Sequence, residues 1–223
     1  PLVLIANEFF DALPVHQFER TESGWVERLV GIDPETRTLR FTLASRAAGA
    51  RAPIPNELRK APHEAVPFGS VREVAPQGLA LARAIGARLK RFGGVALIVD
   101  YGPMRSAPGE TLQAVKGHER HDVLSEPGEA DLTAHVDFEA LAQAAAEAGA
   151  RAHGPVPQGA FLLALGITER AETLLQNATP AQARDIRSAC KRLIAPSGMG
   201  GLFKALALAH PGQPPPPGFE TPA

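Results

Sequence analysis

The stretch PLVLIANEFFDALP, residues 1–14, decides the fold. Residues 2–6 form a short, wholly apolar run with β-branched members, the pattern of a strand buried on both faces. The run stops at Asn7-Glu8, and Asp11 follows about one helical turn later, so 7–13 reads as a turn or short helix. Open α/β sheets bind ligands just beyond the carboxyl ends of their parallel strands. Polar and acidic groups at this exit are therefore candidates for chemistry as well as for turn-making. A second apolar run, 95–99, ends in the same way, in Asp100-Tyr101-Gly102.

Working outward, 15–20, 25–32 and 38–44 read as strands separated by Ser23-Gly24 and Asp33-Pro34-Glu35-Thr36, both rich in turn formers. They suggest an antiparallel meander inserted at the mouth of a parallel sheet, followed by a long Pro-, Gly- and Ala-rich loop over 45–70. Pro76 suits the first turn of a helix to about Arg91, with Leu79, Ala82, Ile85 and Leu89 on one face. Gly93-Gly94 ends it before the 95–99 strand. Residues 101–136 lack a regular period and read as a long lid or binding loop. Asp137 can cap a helix to about Ala148. A strand over 150–154, helices over 161–176 and 180–193, and a last strand over 202–209 complete the pattern. The tail from His210 is proline-rich and reads as extended. The expected parallel core therefore comprises 2–6, 95–99 and 150–154, with 202–209 antiparallel to them.

Composition narrows the function classes. The 223 residues carry 23 Lys and Arg against 24 acids, a net charge of −1, so no basic excess advertises nucleic acid or a membrane surface. No apolar run approaches the roughly 20 residues of a membrane span. The single cysteine, Cys190, leaves no internal disulfide and reads as a small core side chain. The chain opens on Pro1 directly into a core strand, which suggests a fragment.

Several residues have two readings. Asn7 can be a helix N-cap, with Glu8 and Asp11 in a first turn where acids suit the dipole. The same spacing puts Glu8 and Asp11 on one face, where they could grip a cation. Asp100 can cap a turn or face a ligand, and the Tyr101 phenol can bond a substrate or shield the core. His118, His121 and Asp122 lie in HERHD, which is not the helical HExxH metal pattern, so no metal is expected. Lys204 reads as a solvated strand residue. Gly198, Gly200 and Gly201 lack phosphate-loop spacing.

Six motifs in order carry a family resemblance: ANEFFDALPVHQF (6–18), LIVDYG (97–102), TLQAVKGH (111–118), PGEADLTAHVDF (127–138), GPVPQGAFLLALGI (154–167) and MGGLFKALAL (199–208). Together they resemble the MidA-like proteins, relatives of the mitochondrial complex I assembly methyltransferase, over nearly the whole chain. The resemblance implies an α/β, Rossmann-like class I methyltransferase sheet, here partial, with the 15–70 meander and loop inserted in a 1–209 domain and 210–223 as tail. It implies S-adenosylmethionine as cofactor and an arginine of a protein, a complex I subunit, as substrate. It implies catalytic roles for Glu8 and Asp11, and substrate or cofactor contacts for Asn7, Asp100, Tyr101, His135 and Gln158. His135 and Gln158 have equally good structural readings. The rival class is a non-catalytic binding or assembly module. A bacterial source implies the cytoplasm, a eukaryotic one the mitochondrial matrix. The family's glycine-rich cofactor loop has no counterpart here, so the chain is expected to begin at the fourth strand, to bind the cofactor weakly alone, and to dimerise or aggregate through an open edge of 2–6.

Overall fold

The structure, a computed structural model, describes residues 1–44 and 66–220. The chain divides into two compact units, one of residues 1–11, 78–106 and 136–223, the other of 12–77 and 107–135.

The first unit is built on a four-stranded sheet. Strand β1 (Leu2–Asn7) pairs in parallel with β6 (Gly94–Tyr101), and β6 pairs with the antiparallel β11 (Phe203–Ala209). Strand β11 in turn pairs with the antiparallel β10 (Arg151–Pro157), giving the order β1-β6-β11-β10. Thus β1, β6 and β10 run one way and β11 alone runs against them, as the sequence predicts. Every residue of β11 is buried, the signature of a strand covered on both faces. On β6 burial alternates: Ala96, Ile98 and Asp100 are inside, the period-2 pattern of a half-covered strand.

Helix α1 (Pro76–Phe92) buries Leu79, Ala82, Ile85 and Leu89, the face expected from its spacing. Helix α2 (Phe138–Glu147) packs on β10 and β11, and Asp137 caps it by accepting from the Ala140 N–H. Burying Phe138, Leu141, Leu206 and Leu208 in this layer supplies about 2–3 kcal/mol each. Between β10 and β11 the chain makes a helical excursion, α3 (Gln158–Ala164), α4 (Ile167–Leu175), α5 (Pro180–Ile194) and the single turn α6 (Met199–Leu202).

Four expectations in this unit need correction. Strand β1 is not buried on both faces: Leu2, Leu4 and Ala6 are half-buried, while Val3 and Ile5 are 79% and 73% exposed. Among the described residues β1 is an edge strand, covered only on the face it shares with Ala96 and Ile98. The expected 161–176 helix is two helices, because Gly166 sits at φ 82°, a left-handed turn that ends α3. Cys190 is only half-buried. The proline tail is not simply extended: it turns at His210–Gln213 and Pro216–Phe219, and the Phe219 ring packs 5.0 Å from that of Phe161.

The second unit contains an antiparallel sheet of β2 (His16–Thr21), β3 (Gly24–Ile32), β4 (Leu39–Leu43) and β5 (Val71–Val74), in the order β4-β3-β2-β5. The meander is as expected; β5, its fourth strand, was hidden behind the Pro-rich stretch. Of that expected 45–70 loop, residues 45–65 lie outside the described residues. Phe18 and Trp25 form a small core with Val66 and Val74 against it. Residues 101–136 are not wholly irregular, for β7 (Gln113–Lys116), β8 (Glu119–His121) and β9 (Asp131–Thr133) make a second small sheet. Three or four residues of mixed polarity per strand leave too little alternation to read. Glu73 ties the two sheets together by accepting from Gln17 Nε2, the Thr111 hydroxyl and the Thr111 and Leu112 N–H groups.

At the exit of β6, the Val136 N–H donates to the Tyr101 carbonyl, so the chain entering α2 crosses directly over Gly102. A Cβ at Gly102 would lie 2.1 Å from the Val136 carbonyl oxygen, a backbone atom that cannot swing away. Gly102→Ala is therefore expected to cost about 3 kcal/mol or more in urea unfolding, against less than about 0.5 kcal/mol for Gly109→Ala, where a Cβ would make only an ordinary contact with Thr111 Cγ2.

Candidate active site

The carboxyl ends of β1 and β6 meet in register, with Asn7 beside Val99 and the Glu8 N–H donating to the Val99 carbonyl. The chain then has to leave β1 without a partner strand. Asp100 solves this. Its Oδ2 accepts the backbone N–H groups of Phe9, Phe10 and Asp11 at 3.2, 3.0 and 3.2 Å, and Oδ1 accepts the Tyr101 N–H at 3.0 Å. No helix follows β1; residues 8–13 are bends and turns. The helix N-cap reading of Asn7 is therefore wrong, and the capping role belongs to Asp100, from a different strand.

Asp100 is fully buried. Burial pushes its carboxyl up to about 6, the nearby Asp11 carboxylate adds to the rise, and the N–H groups of Tyr101, Asp11 and Phe10 pull it back. It is ionised at pH 7, as four N–H donors demand.

The loop held by Asp100 carries the other acids. Asp11 is 5% exposed; its Oδ2 accepts from the Tyr101 hydroxyl at 2.8 Å, while its Oδ1 is buried with no hydrogen-bond partner among the described residues. The Tyr101 ring is set edge-on to Phe203, centroids 5.4 Å apart. Glu8 is exposed, accepts from Asn7 Nδ2 at 3.2 Å, and sits at φ 47°. A left-handed glutamate costs about 1–2 kcal/mol, a strain that persists only where surrounding bonds impose it.

Asp11, Asp100 and Tyr101 thus share one hydrogen-bonded cluster, and Glu8, bonded to Asn7, lies exposed on the same loop. Two other residues fall elsewhere. Gln158 is buried at the start of α3 and donates from Nε2 to the Leu193 carbonyl at 3.0 Å, which locks α3 to the end of α5. His135 belongs to the second unit, where its backbone N–H donates to Thr111 Oγ1. Among the described residues no group of three or more His, Cys, Asp and Glu is arranged to hold a metal ion.

Lys204 is the residue that sequence reading placed wrongly. It is buried, cross-strand to Asp100, and its ammonium donates to the Gly201 and Leu202 carbonyls at 2.6 and 2.8 Å. Burial lowers its pKa. The signal was present: a lone lysine in FKALALA, an otherwise apolar strand.

The family can now be stated. A model of the family described as "Putative S-adenosyl-L-methionine-dependent methyltransferase" matches residues 1–156. The chain belongs to this family. It is 38% identical over 209 residues to the mitochondrial protein arginine methyltransferase NDUFAF7 of Danio rerio, covering 93% of this chain and 47% of that protein. The Mus musculus protein of the same name is 39% identical over 92% of this chain and 45% of its own length. The chain thus spans about half the length of the curated relatives it matches. A crystal structure from Burkholderia thailandensis bound to S-adenosyl-homocysteine superposes with a TM-score of 0.77 at 31% identity, over 98% of this chain and 54% of that one. No helix among the described residues is long and apolar enough to cross a membrane.

The raised pKa of Asp100 fixes a pH dependence. Below about 4 the carboxyl is protonated both folded and unfolded; between about 4 and 6 the folded state alone holds the proton. This group's stabilisation is thus largest in acid and falls as pH rises to 6, on the order of 2–3 kcal/mol in all. A carbon-13 NMR titration should place the Asp100 carboxyl midpoint near 6, with faster exchange of the Phe9–Asp11 amides, relative to intrinsic rates, below it. A midpoint near 4 would contradict the assignment. Asp100→Ala strips the Phe9, Phe10 and Asp11 N–H groups of their acceptor, two of them in buried bonds, and should cost at least about 3 kcal/mol.

Proposed function

We propose that this chain forms the substrate-facing part of an S-adenosylmethionine-dependent protein-arginine methyltransferase. The observation that carries the reading is the buried Asp11 Oδ1 without a partner, at the carboxyl ends of β1 and β6. A buried carboxylate oxygen left unbonded is costly. A guanidinium N–H would satisfy it by a charge-assisted bond. The naming of the relatives as protein arginine methyltransferases supports the same substrate.

The chemistry follows from the residues. An arginine side chain keeps its proton up to pH 12 or so, so it must be gripped and aligned rather than deprotonated in advance. Asp11, held by the Tyr101 hydroxyl, fixes one edge of the guanidinium plane, and Glu8 offers a second carboxylate at the rim. Alignment converts a slow encounter into an oriented displacement, and carboxylates concentrate electron density on the attacking nitrogen. The nitrogen that gains the methyl gives up one proton, and Glu8, open to solvent, can take it and pass it to water.

When bound, S-adenosylmethionine supplies an electrophilic methyl on a cationic sulfur. The residues here fit its charged, reacting end: an acidic cluster at the strand exits suits a sulfonium beside a guanidinium. Asn7 and Glu8 are the residues of this chain that would face it. The relatives' names support a mitochondrial location for a eukaryotic source; the matrix, and a complex I subunit as the substrate protein, are what the family resemblance implies, and a bacterial source implies the cytoplasm.

The test uses the full-length protein with radiolabelled methyl donor and arginine-containing substrate protein. Asp11→Asn should lower methyl transfer about 100-fold or more with a small change in Tm, and Tyr101→Phe about tenfold by freeing Asp11. Glu8→Gln should lower transfer far more than it lowers stability, since it removes charge without removing volume. Parallel losses of activity and stability would make these residues structural and overturn the reading.

A further inference from the structure

Strand order places one more element at the same end of the sheet. Tyr101 pairs with Phe203 and Pro157 with Lys204, so β10 ends and β11 begins where β6 ends. The whole excursion α3–α6 therefore leaves and returns at the rim that holds Asp11, Asp100 and Tyr101. Its final residue, Leu202, is half-exposed, and its carbonyl accepts the Gly102 N–H.

The excursion is more exposed than its length warrants. Neither α4 nor α5 buries a single residue completely, although α5 is well made, with a Thr179–Gln182 capping box and Pro180 in its first turn. On α5, Arg184, Arg187 and Lys191 follow i, i+3, i+7 spacing and so fall within about 60° of one another on the helix surface. All are exposed, and none forms an ion pair among the described residues. The acid of this helix, Asp185, lies on the other side of the stripe from Arg187. The half-packed face of α5, through Ile186, Cys190 and Leu193, is turned from it. Leu163 and Leu165 at the end of α3 are also half-exposed.

We propose that the Arg184–Arg187–Lys191 stripe docks an acidic segment of the protein substrate, holding it while its arginine reaches the cluster around Asp11. The proposal rests on the methyltransferase reading above and gives it a substrate class: arginine targets with an acidic stretch nearby. Helices that carry lysine and arginine on one side without partners attract anionic segments and speed encounter. A protein segment is favoured over nucleic acid because α5 itself carries no aromatic residue on which bases could stack, and the chain as a whole is not basic.

The experiment is fluorescence anisotropy of a fluorescein-labelled peptide carrying one arginine and a block of glutamates, titrated with this chain. The same peptide with glutamines serves as control, and a single-stranded oligonucleotide of equal length as competitor. The glutamate peptide should bind about tenfold more tightly than the glutamine one, with affinity falling as salt rises. Arg184→Gln/Arg187→Gln/Lys191→Gln should remove that difference while leaving the circular dichroism melt in place. Arg83→Gln/Arg88→Gln/Arg91→Gln, on α1, should keep it. Equal binding of the two peptides, an unaffected triple variant, or preferential binding of the oligonucleotide would overturn the proposal. The preference for glutamate over glutamine needs no methyl transfer, so Asp11→Asn in the full-length protein tests the function separately: it should abolish transfer while the ratio of the two peptide affinities stays the same.

Discussion

The carboxylate of Asp100 organises the end of the sheet where β1 and β6 finish. Strand β1 must break at Asn7 and send the chain away, which strips three consecutive N–H groups of strand partners. A single buried acid on the neighbouring strand collects all three and adds its own neighbour's N–H. The loop is thereby fixed to the rigid centre of the fold instead of to its own local structure. Everything it carries inherits that rigidity, including the strained Glu8 backbone and the buried Asp11.

That arrangement sets two carboxyl groups near each other by necessity. Burial pushes the Asp100 carboxyl up to about 6, and the nearby Asp11 carboxylate adds to the rise. Two close acids, one saturated with N–H donors and the other left with a bare oxygen, divide their tasks by environment. Asp100 is structural in its bonds and Asp11 is open in its bonds. The Tyr101 hydroxyl belongs with the second, since it orients Asp11 while its ring rests on Phe203 at the start of β11. Lys204 closes the far side by holding the last carbonyls before β11, so the helical excursion and the acidic loop are braced by one pair of adjacent strands.

Much of this was legible in the sequence where one local pattern sufficed. The apolar runs at 2–6 and 95–99, the α1 face, the Asp137 cap and the lone antiparallel direction of the last strand all follow from periodicity, turn chemistry and order. What failed was anything decided at long range. Asn7 looks like a helix cap because Asn before acidic residues is a good cap; the N–H groups it would have served are taken by a residue about ninety positions away. Strands β7–β9 were invisible because three-residue strands gain stability from their partners and not from their own alternation. Lys204 looked solvated because buried lysines are rare, and the carbonyls that receive it come from a turn that no propensity announces. Glu8 and Asp11 read as a pair on one helix face, a geometry they do not have: they share a turn anchored from outside.

The position of the helical excursion follows from the same strand order. A β10–β11 connection in which the two strands run against each other could be a tight hairpin. Here 158–202 is spent instead; α3 buries Phe161 and Gln158, but α4 and α5 bury no residue completely. Chain that does not stabilise the fold has to be explained by what it meets. It leaves from the rim where β6 ends, its last carbonyl is bonded to Gly102, and α5 presents cations that form no ion pair among the described residues. On the proposed reading the reacting group is itself a cation and gains nothing from that stripe. The proposed docking then separates two tasks in space: acids at the strand ends for the guanidinium, bases on α5 for what surrounds it.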